Sequence, residues 1–516
     1  VRGAERWFWP VALALIGVGT ALQISSLHLE TQTFDEGFHL AAGYSYWSQG
    51  DYRMNPEHPP LGKMLCALPL LWLKPSLPVR TKAWYDRDQW EFSDAFLYGN
   101  RVPPETMLNT ARLVTVALTA ALGLAVAWWT RRRFGAVAGL LALGFTVFDP
   151  NLLAHGRYVT TDLIVGLFFF LTVACWVEYL DRGGRWAAWA GLALGLALAS
   201  KYSAALLPPI LLVLSLTRRP KGWWRGLAVA CTIALAVVAA TYGRETWRIL
   251  GGSGETPTYW TGLRAVAGHN AIGHVTYLLG ERSQYGWWQY FPVAFAVKTP
   301  AAVLVGLGLA LAAAFRAWRS IPFAAWAPLI AALAYFAVAM SGQLNLGLRH
   351  ILPCYPLLYV FAAALASTSR RGPAIAALVL VLTAVESLSR YPHYLAFFNV
   401  FAGGPSRGPE YLVDSNIDWG QDVKKLKAYL ETQGNPPLCI DYFGTAKLRA
   451  YEIREGYLPR TDPAEIERMD CLAAISVTLL KGLYIDPTWY RYLDSRQPIA
   501  KIGWSIYVYD FRKKKP

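Results

Sequence analysis

The sequence predicts an all-α, polytopic membrane protein with a small α/β unit at its C-terminal end. Three observations carry this. Of 516 residues, 54% are hydrophobic and only 16% are charged, where a soluble chain carries about 25%. Apolar runs near the roughly 20 residues that cross a bilayer recur along the chain. Beyond residue 390 those runs stop and charges rise.

Spans are expected at 7–27, 107–129, 134–149, 161–180, 185–200, 202–217, 223–241, 300–316, 322–341, 351–368 and 373–389, about eleven in all. Some are short, and the pair around Lys201 reads as two helices or one. The first is too long for a removable signal peptide and lacks a small-residue cleavage site, so a retained helix is expected.

Basic residues then set the orientation. Every second loop is cation-rich: Arg2 and Arg6, Arg131–Arg133, Arg182 and Arg185, Arg218 to Arg225, Arg316 and Arg319, Arg370 and Arg371. The alternate short loops hold about one cation each, Arg157, Lys201 or Arg349. This places the N-terminus in the cytoplasm. The loop 28–106, the loop 242–299 and residues 390–516 then lie outside, over a membrane unit of 1–389. The net charge of +15 is thus mainly a topology signal and does not point to nucleic acid. The Lys513-Lys514-Lys515 end reads as a solvated tail.

Within the first outer loop, 35–49 mixes Phe38, Ala41, Tyr44 and Trp47 with small residues, as an interfacial helix would. Residues 59–73 open on Pro59-Pro60, which suits a first helical turn, and should lie along the membrane surface. A further helix is expected over 82–98. In the second outer loop 258–279 reads as a helix, and 285–292 has the aromatics of a headgroup belt. In the C-terminal unit Val423, Leu426 and Leu430 give a helix over 420–433. Strands are expected at 437–443, 472–478 and 499–511.

Four cysteines, Cys66, Cys175, Cys231 and Cys354, fall in apolar segments as small core residues. Cys439 and Cys471 share the outer unit, where an oxidising compartment permits a disulfide; sequence does not show that they meet. No C-x-x-C pair suggests structural zinc. His269 and His274, five apart, fall on different faces of a helix, so no metal site is expected there.

The segment Thr33-Phe34-Asp35-Glu36-Gly37-Phe38-His39 carries the chemistry. Asp35 and His39 stack on one helix face. Read alone, Asp35 is a helix N-cap and Glu36 a solvated helix-start charge. Against this, the pair follows a membrane span, and Asn55-Pro56-Glu57-His58-Pro59-Pro60-Leu61-Gly62-Lys63 follows in the same loop. Asp162 opens the fourth span, with Thr160 and Thr161 as rival caps. Lys201 and Arg349 read as snorkelling cations, but on the cation-poor side. His350 reads equally as a core histidine or a ligand. The run Asp414 to Asp422 lacks the glycine and distal glutamate of an EF-hand. It reads as a turn capping the helix at 420, with acceptor recognition as the sharper alternative.

Together these pieces resemble the protein O-mannosyltransferases of glycosyltransferase family 39 and their bacterial relatives, and more distantly the lipid A aminoarabinose transferases. The resemblance rests on F-D-E-G-F-H at 34–39, E-H-P-P-L-G-K at 57–63, A-R-L at 111–113, G-R-Y-V-T-T-D at 156–162, S-K-Y at 200–202 and G-L-R-H-I-L-P at 347–353. Bacterial relatives also resemble 280–292 and 411–422. The resemblance implies the GT-C membrane fold. It implies an inverting transfer of a sugar, mannose favoured, from a polyprenyl-phosphate carrier to a hydroxyl outside the cytosol.

Asp35 would be the general base, and Glu36 would orient it or bind Arg112. Asp162 would lie near sugar or acceptor. His58, Arg282 and His350, with Arg349, Lys63, Arg112 and Lys201, would supply binding groups for the lipid-linked substrate. No cofactor is required, and a divalent cation at Asp35 and Glu36 stays open. The expected partners are the polyprenyl-phosphate sugar, membrane lipids and a secreted protein, lipid or glycan acceptor. Residues 390–516 lack the length and pattern of the eukaryotic β-trefoil module, and the composition suits a bacterial inner membrane. A non-catalytic binding protein or flippase would keep the phosphate donors without needing Asp35. A transporter of repeated halves gains no support, since no internal repeat is visible.

Overall fold

The computed structural model describes residues 2–513; Lys514 and Lys515 of the expected tail lie outside them, and Lys513 is exposed. Each of the expected spans falls on a helix. Five are long and apolar enough to cross a membrane: Glu5–Leu27, Pro104–Phe134, Asp162–Arg182, Trp223–Thr241 and Phe323–Ser341. A sixth candidate joins Tyr290–Lys298 to Ala301–Arg316 across a 112° bend. Pro300 sits at that break, where a proline cannot donate the next helical hydrogen bond. The other five apolar helices have 10–17 residues and rise about 15–26 Å, less than the ~30 Å hydrocarbon core. The chain is a multi-pass membrane protein.

Asp162–Arg182 is the central helix, with 83% of its apolar window buried. It runs between two chemically distinct ends. At its C-terminal end, Glu178 pairs with Arg133 (2.6 Å) and Arg182 (3.2 Å), while Asp181 pairs with Arg133 (3.0 Å) and Arg218 (3.2 Å). These ion pairs gather three cation-rich loops on one side. At its N-terminal end, Asp162 meets Lys201 and Arg349.

The loop after the first span folds into helices Glu36–Gln49, Pro60–Ala67, Leu70–Leu73, Lys82–Asp86 and Gln89–Tyr98. Three expectations need correction. Helix 36–49 is not interfacial, because every residue from Glu36 to Tyr46 is buried. Its Gly43 lets Pro60–Ala67 pack so closely that a Cβ there would lie 2.2 Å from the Lys63 carbonyl oxygen. The expected helix over 82–98 is two, broken where Arg87 takes a left-handed conformation. The helix expected over 59–73 is also two, Pro60–Ala67 and Leu70–Leu73, and in the second Leu71 and Trp72 are exposed, Trp72 by 78%.

In the loop 242–299 the helix Thr258–Ile272 ends well before residue 279. The chain then forms a hairpin of β1 (Thr276–Leu278) and β2 (Glu281–Ser283) instead of continuing to 279. Gly273 (φ +80°) makes that turn.

The C-terminal sheet contains β3 (Leu438–Asp441), β4 (Leu472–Ser476), β5 (Ala500–Ile502) and β6 (Ile506–Asp510), in spatial order β3-β4-β6-β5. β3 and β4 are parallel and the other pairings antiparallel. The single strand expected over 499–511 is a hairpin. Gly503 and Trp504 both have positive φ, as a type I′ turn requires, and Ser505 N–H donates to Ile502 O (3.1 Å). Helix Val423–Thr432 packs Val423, Leu426 and Leu430 into this sheet's core.

Cys439 and Cys471 form a disulfide between β3 and β4 with a Cα separation of 6.1 Å. Closing a loop of sequence separation 32 stabilises by about 3–4 kcal/mol in the chain-entropy picture. Both thiols should react with a maleimide only after reduction and denaturation, and Cys439→Ser should lower the thermal midpoint. Alkylation of both without reductant would show that the bond does not form.

Candidate active site

Asp35 precedes helix Glu36–Gln49, yet its side chain makes no capping hydrogen bond. Its Oδ2 instead accepts from Arg349 Nη1 at 2.8 Å. The same nitrogen lies 3.5 Å from Asp162 Oδ2, and Asp162 Oδ1 is held by Lys201. Two carboxylates and two cations from four distant segments thus converge. The Asp35 side chain is 20% exposed, while that of Asp162 is 1% exposed. Lys201 and Arg349, 12% and 11% exposed, do not snorkel; they face carboxylates.

Arg349 is positioned by the sequence around it. Gly347 (φ +124°) brings its backbone against Ser415 and Asn416. There Leu348 N–H donates to Asn416 Oδ1 (3.0 Å) and Ser415 Oγ donates to Leu346 O. The guanidinium stacks over Trp419, 4.3 Å from the ring centroid. Its Nε is buried without a hydrogen-bond partner among the described residues, so a donor is free at the centre of the cluster.

Glu36 lies beneath the cluster. It is fully buried, and it accepts from Arg112 Nε (2.8 Å) and Nη2 (2.6 Å) and from the N–H groups of Thr33 (2.8 Å) and Val159 (2.9 Å). Burial alone would raise its pKa; Arg112 and the two N–H groups outweigh this and hold it below the ordinary carboxylate range. Arg112 also donates to the carbonyls of Leu27, Glu30 and Thr31. Glu36 is therefore not a solvated charge. It ties the end of the first span, the start of helix 36–49 and residue 159 together.

His58 packs edge-on against His39, with ring centroids 5.2 Å apart. Burial, then His39 and Lys201, push its imidazole well below its ordinary pKa. His350 shares a cavity of about 150 Å³ with Lys201, Phe291, Tyr335 and Val338. Burial, then Lys201 and Arg349, keep it neutral too. Lys201 and His350 line this cavity together with Leu206, Phe291, Val338, Ala339 and Leu344, so its walls are largely apolar.

Three expected binding residues fall outside the cluster; one, Arg112, is spent on Glu36 and on backbone carbonyls beneath it. Lys63 is 1% exposed and donates to Tyr46 Oη (2.8 Å), Asn55 O (2.6 Å), Asn55 Oδ1 (3.2 Å) and His58 O (2.8 Å). An ammonium has three protons, so it is spent on holding its own loop. Arg282 is exposed on β2 and donates to Lys481 O (2.8 Å).

The run 414–422 is also corrected. Helix 423–432 starts with no side-chain cap, so these residues are not a capping turn. They wrap the site: Trp419 carries Arg349, and Phe34 N–H donates to Trp419 O (2.9 Å). Asp414, in a left-handed conformation (φ +59°), accepts from Tyr484 Oη (2.5 Å). The run 414–422 contains Trp419, but no sequence signal singled out Tyr484 or the buried His155 beside Trp419. His269 and His274 meet after all (ring nitrogens 3.1 Å apart), because the helix ends between them. Among the described residues no group of three or more His, Cys, Asp or Glu side chains converges to hold a metal.

Asp418 is fully buried; Oδ2 accepts from Thr478 N–H (3.1 Å) and Oδ1 has no partner among the described residues. Burial pushes its pKa up to about 8, against about 3.9 for an unfolded aspartate. Between those values the folded state holds a proton that the unfolded state has lost, so stability falls as pH rises. Thermal midpoints across pH 5–8 should show this decline, and Asp418→Asn should flatten it. An unchanged slope would mean Asp418 is already ionised.

Residues 107–242 match the family model described as dolichyl-phosphate-mannose-protein mannosyltransferase. No curated protein sequence matches the chain. Among solved structures, the chain is similar to ArnT from Cupriavidus metallidurans bound to undecaprenyl phosphate: 13% identity, TM-score 0.54, covering 97% of this chain and 98% of that one. It is also similar to the apo form of the same protein: 15% identity, TM-score 0.53, covering 96% and 97%. The resemblance read from the sequence therefore stands: residues 107–242 carry the mannosyltransferase family's pattern, within a chain that has the GT-C membrane fold shared with ArnT.

Proposed function

We propose that this protein is an inverting glycosyltransferase that moves a sugar, mannose favoured, from a polyprenyl-monophosphate carrier to an acceptor hydroxyl on the outer face of a bacterial inner membrane. In this reading residues 1–389 are the catalytic membrane unit, and 390–516 are an extracytoplasmic domain whose first part completes the site. The N-terminus is cytoplasmic. The carrier bound by ArnT and the description of the matched family support this class of donor.

The observation that carries the reading is Asp35: a part-exposed carboxylate whose side chain caps nothing, paired with Arg349, which shares Asp162 with the Lys201 that lines a largely apolar cavity. An anionic head on a hydrocarbon tail suits that cavity. Lys201, His350 and the unused Nε of Arg349 would meet the phosphate, each charge-assisted bond stabilising by about 1.5–3 kcal/mol. A phosphate competing for Arg349 releases Asp35 from its ion pair. Asp35 then accepts the acceptor's hydroxyl proton. The acceptor oxygen bonds to the anomeric carbon as the carbon–oxygen bond to phosphate breaks on the opposite face. The electron pair stays on the phosphate, where the cations stabilise it most as charge develops. Asp162 holds Lys201 and Arg349 apart for this task, and Glu36 with Arg112 fixes the backbone beneath Asp35.

The test is turnover by purified protein in detergent, with labelled polyprenyl-phosphate sugars offered singly and released polyprenyl phosphate measured. One donor should be consumed, and Asp35→Asn should abolish this. Donor binding without turnover would favour a binding protein or flippase.

A further inference from the structure

We propose that the cleft between helix Gln89–Tyr98 and residues 440–455 is the acceptor site, and that its acceptor is an uncharged glycan chain; this rests on glycosyl transfer at Asp35. The cavity measures about 980 Å³, at the upper end of the range for small-molecule sites (about 300–1,000 Å³). Phe34 lines it, and the next residue in the chain is Asp35. The cleft thus ends one residue from the proposed base, and in this proposal its occupant extends past Phe34 to Asp35 while the cavity at Lys201 holds the carrier.

The lining chemistry selects the class. Aromatic rings of Phe34, Trp90, Tyr98 and Tyr442 line the cleft. Trp90 is 49% exposed although Phe34 and Phe38 pack against its ring at 5.4 and 4.5 Å. An exposed tryptophan held rigid by its neighbours is an apolar platform with few degrees of freedom to lose. The C–H faces of a pyranose ring fit such a platform. Between the rings stand Asp94, Asp441 and Glu455; a carboxylate has about four lone-pair sites, so each keeps room for a hydroxyl donor beside its partner Lys447, Tyr490 or Arg449.

Charge argues against an anionic acceptor. The lining has one more acid than base, and Lys447 is already paired with Asp94 and Arg449 with Glu455 (3.9 Å). Strand pairing argues against an extended peptide. The outer edge of β3 is covered by Gly456, through Ile440 N–H to Gly456 O (3.0 Å) and Gly456 N–H to Leu438 O (2.9 Å). Around Cys439 this edge is taken, and a peptide would have to displace Gly456 to lengthen the sheet there. In the transfer, a glycan hydroxyl gives its proton to Asp35 and its oxygen takes the sugar from the carrier phosphate.

Saturation-transfer NMR on the full chain in detergent tests this without donor. The probes are mannotetraose, cellotetraose and maltotetraose, with a Ser/Thr-rich peptide in parallel. At least one oligosaccharide should bind, and Trp90→Ala should weaken it at least tenfold. Asp94→Asn, a rim change without core packing, should weaken it several-fold and guards against a misfolded Trp90 variant. If no oligosaccharide binds, if both variants bind as well as wild type, or if only the peptide binds, the proposal is overturned. Asp35-dependent turnover without glycan binding would overturn this proposal alone. Glycan binding without turnover of any donor would overturn the transfer reading alone.

Discussion

Asp35→Asn should release polyprenyl phosphate at least about a hundredfold more slowly than wild type, the loss expected when a general base is removed, with little change in thermal midpoint. The asymmetry follows from the geometry. Asn keeps the shape and can still accept a hydrogen bond from Arg349 through its amide oxygen. Arg349 also keeps Asp162 at 3.5 Å and the Trp419 ring at 4.3 Å. Asp35 is part-exposed and caps no helix, so the fold does not depend on its charge. The chemistry does, because an amide does not take up a proton at neutral pH. The loss should fall on kcat, with the donor's KM nearly unchanged, since the proposed phosphate donors Lys201, His350 and Arg349 remain. Equal turnover by the two proteins would remove Asp35 from the mechanism. An equal drop in midpoint and rate would reassign it to structure.

The membrane architecture was legible because spans are written in composition: each expected apolar run falls on a helix. Their lengths were less so: the run 134–149 forms a helix only over Ala136–Phe148, after Gly135 (φ +89°), and the run 351–368 only over Cys354–Ala366, after Pro353. Asp35, Asp162, Lys201 and Arg349 could be named from local segments, but not their ion pairing, which joins residues up to 314 positions apart in sequence. Lys63 shows the limit from the other side. Its position in E-H-P-P-L-G-K is the same whether it faces a ligand or its own loop, and only the four acceptors around it decide. Helix 36–49 looked interfacial because its residues are amphipathic in type. Burial on all sides comes from the neighbouring helices and outer segments, which no local pattern encodes. The histidine pair was misjudged by assuming a helix through residue 273, where Gly273 turns the chain.

Breaking the Glu36–Arg112 pair from either side should cost about 3–5 kcal/mol, the usual penalty for stranding one charge of a buried pair. Both side chains are 0% exposed, so water cannot replace the lost partner. Glu36→Gln keeps the shape but leaves the guanidinium facing a neutral amide, with only the carbonyls of Leu27, Glu30 and Thr31 to solvate it. Arg112→Met strands the carboxylate with only two N–H donors, from Thr33 and Val159. Each single variant should unfold at a clearly lower temperature in detergent. The double variant Glu36→Gln/Arg112→Met should lose less than the sum of the two, because neither charge is then left unpaired. Activity follows stability for a specific reason. Glu36 is the residue after Asp35, and its bonds to Thr33 and Val159 fix the backbone that aims the neighbouring carboxylate. Glu36→Gln that remains folded should therefore lose rate as well, unlike Asp35→Asn, which loses rate alone. Single variants as stable as wild type would show that the pair is solvated and that the platform beneath Asp35 is held by something else.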